Sequence, residues 1–236
     1  MKKFLMFVLG ALLFCSSSAF AAVKPFNLSL FDPVQIFASE NDITGVRLNL
    51  LYGKNENVSG LDFGIGIAGT KGDFKGLGLH YVGNVVEGDA AGLQFGAFNL
   101  VRGDFKGLQL SFANLSRSNL KGLQLGAVNV VGAQASAIQL GFFNKSRVDS
   151  KGIQMGGLNI SAGDRSGLQW GVVNITTDNF KGIQMGAVNI VGDNFSGLQL
   201  GVVNVGGIEK GVQIGLVNVN KNKKPLPFFP IVNARF

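Results

Sequence analysis

The stretch Gly182-Ile183-Gln184-Met185-Gly186-Ala187-Val188-Asn189-Ile190 returns fifteen residues later as Gly197-Leu198-Gln199-Leu200-Gly201-Val202-Val203-Asn204-Val205. Fifteen residues earlier it reads Gly167-Leu168-Gln169-Trp170-Gly171-Val172-Val173-Asn174-Ile175. The lead glycine recurs at Gly92, Gly107, Gly122, Gly152, Gly167, Gly182 and Gly197, with Ala137 in its place once. The step to Gly211 is one residue short. Gly45, Gly60 and Gly76 open looser copies, and the latter two run one residue long. A unit this short cannot cover its own apolar face. It must stack on its neighbours, and the array must be long and closed at its ends.

Positions are named by their offset from the lead glycine. In the clear copies offsets 1 and 3 are apolar, as in Leu93 and Phe95 or Leu168 and Trp170, with glutamine between them at offset 2. Offsets 6 and 8 are usually apolar again, with asparagine between them from Asn99 to Asn218. Offsets 9 to 14 are polar and variable. A third apolar position, offset 13, is weaker: Phe105, Leu120, Phe180 and Phe195 alternate with Ala135 and Arg165. Side chains on a strand alternate with period two, so pairs five residues apart cannot share the face of one flat strand. A corner near Gly186 and Ala187 resolves the conflict.

This pattern predicts an all-β fold, a parallel β-solenoid of about twelve 15-residue rungs with N- and C-terminal caps. Glutamine would stack on glutamine and asparagine on asparagine, roughly 4.8 Å apart, in hydrogen-bonded ladders. Hydropathy assigns offsets 1 and 3 to the inside and offset 2 to the outside, so Met185 is expected to be buried and Gln184 exposed.

The alternative is an antiparallel outer-membrane β-barrel with one strand and one turn per copy. The leader, the aromatic content and the terminal Phe236 favour it. The even period opposes it, since such barrels alternate short turns with long loops. Strict alternation also opposes it, because it would turn a row of amides towards lipid.

Taken in order, residues 1–22 read as a secretory signal peptide. Lys2 and Lys3 form its basic start, Phe4 to Phe14 its apolar core, and Ala19-Phe20-Ala21 its cleavage site. Its Cys15 is the only cysteine, so the processed chain would have no disulfide or thiol chemistry. Residues 23–44 read as an N-terminal cap, 45–220 as the repeat array, and 221–236, with Pro225, Pro227 and Pro230, as a C-terminal cap. Among the polar offsets, Lys106, Lys121, Lys151 and Lys181 stack at offset 14. They read as a solvated basic edge or as a contact for anionic lipid or lipopolysaccharide.

The chain offers little to a catalyst. His80 is the single histidine, no nucleophile elbow is present, and no cysteine pair or histidine cluster suggests a metal. His80 therefore reads as structural. Asp104, Asp149, Asp164, Asp178 and Asp193 recur at the polar corner. A calcium ladder there would need a denser acidic pattern, so they read as turn formers. Gly64-Ile65-Gly66 lacks a following helix pattern and is not a dinucleotide loop. Aromatic residues fall at the apolar offsets rather than among the basic ones, which speaks against nucleic acid.

The tandem units GLQLGAVNV, GIQMGAVNI and GLQLGVVNV and the ending PLPFFPIVNARF resemble the bacterial surface-repeat family of leptospiral type, over roughly Gly76 to Phe236. Departures from the pattern are Ala137, Ser111 for the inner glycine, and Lys145 at an apolar offset. The resemblance implies export and a cell-surface, outer-membrane or periplasmic location, but no activity and no functional residues. The expectation is a non-catalytic exported repeat protein of the bacterial cell envelope, structural or interacting, with no catalytic, cofactor-binding or metal site and no cofactor. Its expected partner is an envelope component or the outer membrane, not nucleic acid. The alternative function is that of the barrel, a small pore.

Overall fold

The computed structural model describes residues 22–236. The segment read as the signal peptide lies outside these residues, except for Ala22. The described residues contain strands and turns and no α-helix. They divide into two compact units, one ending at Gly103 and one running from Asp104 to Phe236. Both are parallel β-solenoids. Together they make about thirteen turns.

In the first unit, Asp42–Asn55 lies parallel to Val58–Gly64 and Ile67–Thr70, and these to Phe74–His80 and Gly83–Val86. Val23–Phe31, within the span read as a cap, also lies parallel to Asp42–Asn55, with the short Val34–Gln35 folded antiparallel against it. In the second unit the register is fifteen residues per turn. Phe105–Leu110 pairs with Leu120–Leu125, and Ala113–Ser116 with Val128–Val131. The pattern continues to Val203–Asn220, where the register slips by one residue. The last strand, Phe228–Arg235, runs antiparallel to Val203–Asn220. Strands that lie on the next copy in parallel exclude the antiparallel barrel.

The sequence places the corners. One falls at Ser111-Phe112 and its equivalents, the expected offsets 4 and 5, and a second at residues 117–119 and their equivalents. The lead glycine bends the longer strand. Gly182 has φ +140°, and a Cβ there would lie 2.0 Å from the Gly167 carbonyl oxygen. Only glycine adopts that conformation without strain. Ala137 occupies the same place without a left-handed φ, so the backbone adjusts locally to admit a methyl group.

One expectation is overturned. The side chains at offsets 2 and 7 point inward, and those at offsets 1, 3, 6 and 8 point outward. Gln184 and Asn189 are fully buried, whereas Ile183 is exposed and Met185 half-buried. The cause is the width of the coil. A side five residues long between tight corners directs its middle side chain to the axis and its flanking ones away. The amides tolerate this because they hydrogen-bond to one another from turn to turn. Gln184 Nε2 donates to Gln169 Oε1 at 2.7 Å, and Gln199 Nε2 donates to Gln184 Oε1 at 2.7 Å. The asparagines donate the other way along the stack, Asn174 Nδ2 to Asn189 Oδ1 at 2.9 Å. The same nitrogen reaches the Met185 carbonyl at the corner, also at 2.9 Å.

The apolar core is the side that looked weakest. Phe105, Leu120, Phe180, Phe195 and Ile208 stack at or beside offset 13, with Val131 and Val191 facing inward from offset 9. Where offset 9 carries a hydroxyl, it joins the glutamine ladder, as Thr176 Oγ1 does by donating to Gln169 Oε1 at 3.2 Å.

The reversed faces make a direct prediction. Gln184→Leu removes the acceptor of Gln199 Nε2 and the donor to Gln169 Oε1 inside the coil. It should cost about 2–3 kcal/mol, the penalty for stranding buried polar groups. Met185→Asp alters an outward side chain and should cost under about 1 kcal/mol. Urea unfolding of the two variants checks the order.

Candidate interaction surface

The side chains with chemical potential are enclosed in the first unit. Arg47 and Asp62 occupy the glutamine column in register with one another, and His80 stands in register with Gly64, where a corner glycine is usual. All three are buried. Arg47 Nε donates to Asp62 Oδ1 at 2.9 Å and Nη2 to Oδ2 at 2.6 Å, a bidentate pair. Arg47 Nη1 also donates to the Gly69 carbonyl at 2.7 Å. His80 Nδ1 lies 2.9 Å from Asn84 Oδ1, and Nε2 lies 3.2 Å from Asn49 Nδ2 and 3.4 Å from Asp62 Oδ1. Burial pushes the Asp62 carboxyl up, but the Arg47 guanidinium and the neighbouring His80 overcome it and hold the group at about 2. Every member of this cluster is committed to another, which is the geometry of a structural insert in the ladder. The sequence reading missed the pair. The available signal was that offset 2 holds a charge only at Arg47 and Asp62, of opposite sign and one turn apart.

A second buried cation, Arg165, interrupts the apolar column of the second unit. Its Nη1 donates to Ser150 Oγ at 3.0 Å, and Nη2 donates to the carbonyls of Gly152 and Leu168 at 3.2 and 3.3 Å. Burial lowers its guanidinium to about 10.

The acidic corner serves the backbone. Asp164 N–H donates to Asp149 Oδ1 at 3.0 Å, Asn179 N–H to Asp164 Oδ1 at 3.1 Å, and Asn194 N–H to Asn179 Oδ1 at 3.2 Å. Aspartate and asparagine both serve there because each offers a side-chain oxygen to the next backbone N–H, and asparagine adds a bond of its own, Asn179 Nδ2 donating to Asp164 Oδ1 at 2.9 Å. The Ser118 hydroxyl and the Asn119 N–H, both donating to Asp104, hold that carboxyl below the usual range. Among the described residues no group of three or more His, Cys, Asp or Glu side chains is placed to hold a metal.

On two of its sides the second unit presents an apolar surface. Phe112, Phe142, Val172, Val202 and Leu216 stand at the corner between the two outer sides, with Phe142 76% and Phe112 70% exposed. Trp170 and Ile183 flank that corner and are also exposed. A shallow depression of about 460 Å³ lies there, lined by Met155, Gly156, Trp170, Gly171, Val172 and Ala187. The first unit likewise exposes Leu61, Ile65, Tyr81 and Phe95. At offsets 1, 3, 5, 6 and 8 from Leu108 to Val219 the sequence holds a single charged residue, Lys145. The aromatic residues expected in the core, Phe95 and Trp170, are therefore on the outside, and Phe98 is half-buried.

No protein-family model matches the chain, and no curated protein or solved structure matches it either.

Proposed function

We propose that the chain is a non-catalytic, exported repeat protein of the bacterial cell envelope that acts through its outer surface. The observation that carries this reading is the inverted distribution of polarity. Amides and charges that could do chemistry are sealed inside the coil and bonded to each other, while the exposed corner and sides are apolar. A monomer in water rarely exposes a continuous apolar patch beyond a few hundred Å². The charged leader followed by an apolar stretch and Ala19-Phe20-Ala21 supports export. The pore reading depended on a barrel and is not retained.

Cell fractionation tests the proposal. The protein is expected with the envelope, shortened by its leader, and carbonate and urea washes report how firmly it is held. Recovery of uncleaved protein from the cytosol would overturn the reading. So would an enzymatic activity that disappears with one substitution.

A further inference from the structure

The second unit sorts its charges in a way that solvation alone does not require. Its outer apolar zone occupies two adjacent sides, offsets 1–3 and 6–8, that meet at the corner holding Phe112, Phe142, Val172 and Leu216. Along one edge of this zone, at offset 14, run Lys106, Lys121, Lys151 and Lys181. Along the other, at offset 10, stand Arg117 and Arg147. The aspartates Asp104, Asp149, Asp164, Asp178 and Asp193 lie between the two basic edges, at offsets 11 and 12, on the side facing away from the apolar corner; Glu209 departs from this at the last turn, where its Oε2 accepts from Ser196 Oγ of the offset-14 edge at 3.4 Å. Lys145 is at offset 8, next to the offset-10 edge, where its long stem can carry the ammonium outward.

We propose that this unit lays its apolar corner into one leaflet of a lipid bilayer containing anionic headgroups, with the basic edges at headgroup level. The inference names the partner of the envelope surface proposed above and rests on that reading. Three features select lipid over a second copy of the chain. The zone turns a corner that carries its most exposed side chains and is only shallowly indented, so a flat facing protein surface would cover one side and leave the other wet, whereas lipid can enclose both. Its backbone is already paired from turn to turn, for example along Lys151↔Ser166 through Met155↔Trp170 and Leu158↔Val173, as immersion in hydrocarbon demands. The cations line the rims while the five aspartates are remote, the arrangement that matches an apolar body to an anionic interface. The dimensions agree. Each outer side spans four residue steps, roughly 13 Å, against about 15 Å for half of a hydrocarbon core. Eight copies from Gly107 to Gly211 stacked at 4.8 Å give an apolar zone of roughly 1,000 Å², above the 300–600 Å² common on monomers.

Trp170 is the only tryptophan and lies in this zone, so it reports depth without a label. The full-length chain would be mixed with vesicles of phosphatidylcholine alone and of phosphatidylcholine with phosphatidylglycerol, each with and without brominated acyl chains. The expected result is a blue shift of Trp170 emission and quenching by bromolipid, stronger with phosphatidylglycerol. Phe142→Asp, an exposed position that should leave folding intact by circular dichroism, is expected to weaken partitioning at least tenfold. Lys→Gln changes at Lys106, Lys121, Lys151 and Lys181 should each weaken binding to anionic vesicles about fivefold, with little effect on neutral ones. Because every variant keeps the same N-terminus, the leader cannot produce these differences. Unshifted and unquenched Trp170 would overturn the lipid inference, as would a Trp170 shift that appears without lipid and tracks dimer formation in sedimentation. Either result with the protein still in the envelope fraction leaves the envelope reading standing; a cytosolic protein removes that reading whatever the vesicles show.

Discussion

Asp62→Asn is expected to destabilise the first unit by about 3–5 kcal/mol, the cost of leaving a buried charge without its partner. The substitution preserves size, so no cavity enters the comparison. It leaves the Arg47 guanidinium enclosed with Gly69 O, Asn55 and Thr70 as its remaining polar neighbours. The double variant Arg47→Met with Asp62→Leu should recover most of the loss, because a desolvated pair is weak net support and its removal is often neutral. Hydrogen exchange resolved by segment distinguishes the two outcomes, since protection should fall around Asp42–Gly64 only in the single variant. The same carboxylate sets a pH dependence. Its folded value of about 2 lies below its unfolded value of 3.8, so the native state binds the proton less readily. The stability it contributes is fully present above about pH 4, fades as pH falls towards 2, and amounts to about 2 kcal/mol. An acid titration of unfolding should show this loss in the wild type and not in the double variant.

Phe195→Ala is expected to cost a similar 3–5 kcal/mol in the second unit. Phe195 stacks on Phe180 with ring centroids 6.2 Å apart and is enclosed with Val191 and Ile208. The backbone of a stacked coil is held on both sides by its neighbours and cannot collapse readily into the void, so the cavity term should be near its full value. Phe142→Ala removes an equal ring from the outer corner and should change stability by less than about 0.5 kcal/mol. Thermal or urea unfolding of the pair tests whether bulk or location governs the effect.

The period, the corner beside Gly186, the parallel register and both amide ladders were legible in the residues. The orientation of the side chains was not, and the reason is geometric. Offsets 1, 3, 6 and 8 form one self-consistent face, and offsets 2 and 7 form another. The five-residue step satisfies either choice. Hydropathy decides between them only if the apolar set is the inner one. Here a narrow coil takes one middle side chain per side, and amides that bond to their own kind one turn away fill that place at little cost. Offset 13 looked minor because Ala135 and Arg165 interrupt it, yet its Phe and Leu members make the apolar core. The Arg47–Asp62 pair went unread because the looser early copies hid the glutamine column it belongs to.

Length in this protein comes in quanta. From Gln109 to Gln199 each amide is bonded to the one fifteen residues away. Inserting one residue within a strand of that run would turn the rest of that strand by one pleat, whereas a change at a bulge or corner is absorbed in its own turn, as at the short step to Gly211, where Gln213 Nε2 still donates to Gln199 Oε1 at 2.8 Å; inserting a whole copy would leave each donor facing an acceptor. The steps that depart from fifteen, Gly60 to Gly76, Gly76 to Gly92 and Gly197 to Gly211, fall beside Asp62 and Gly78, where the glutamine column is broken, or at its last rung. A gene for such a coil can therefore grow or shrink by duplication and loss of whole turns, while a change of one codon has to fall where a bulge or corner takes it up, as between Gly197 and Gly211, where both ladders run on unbroken.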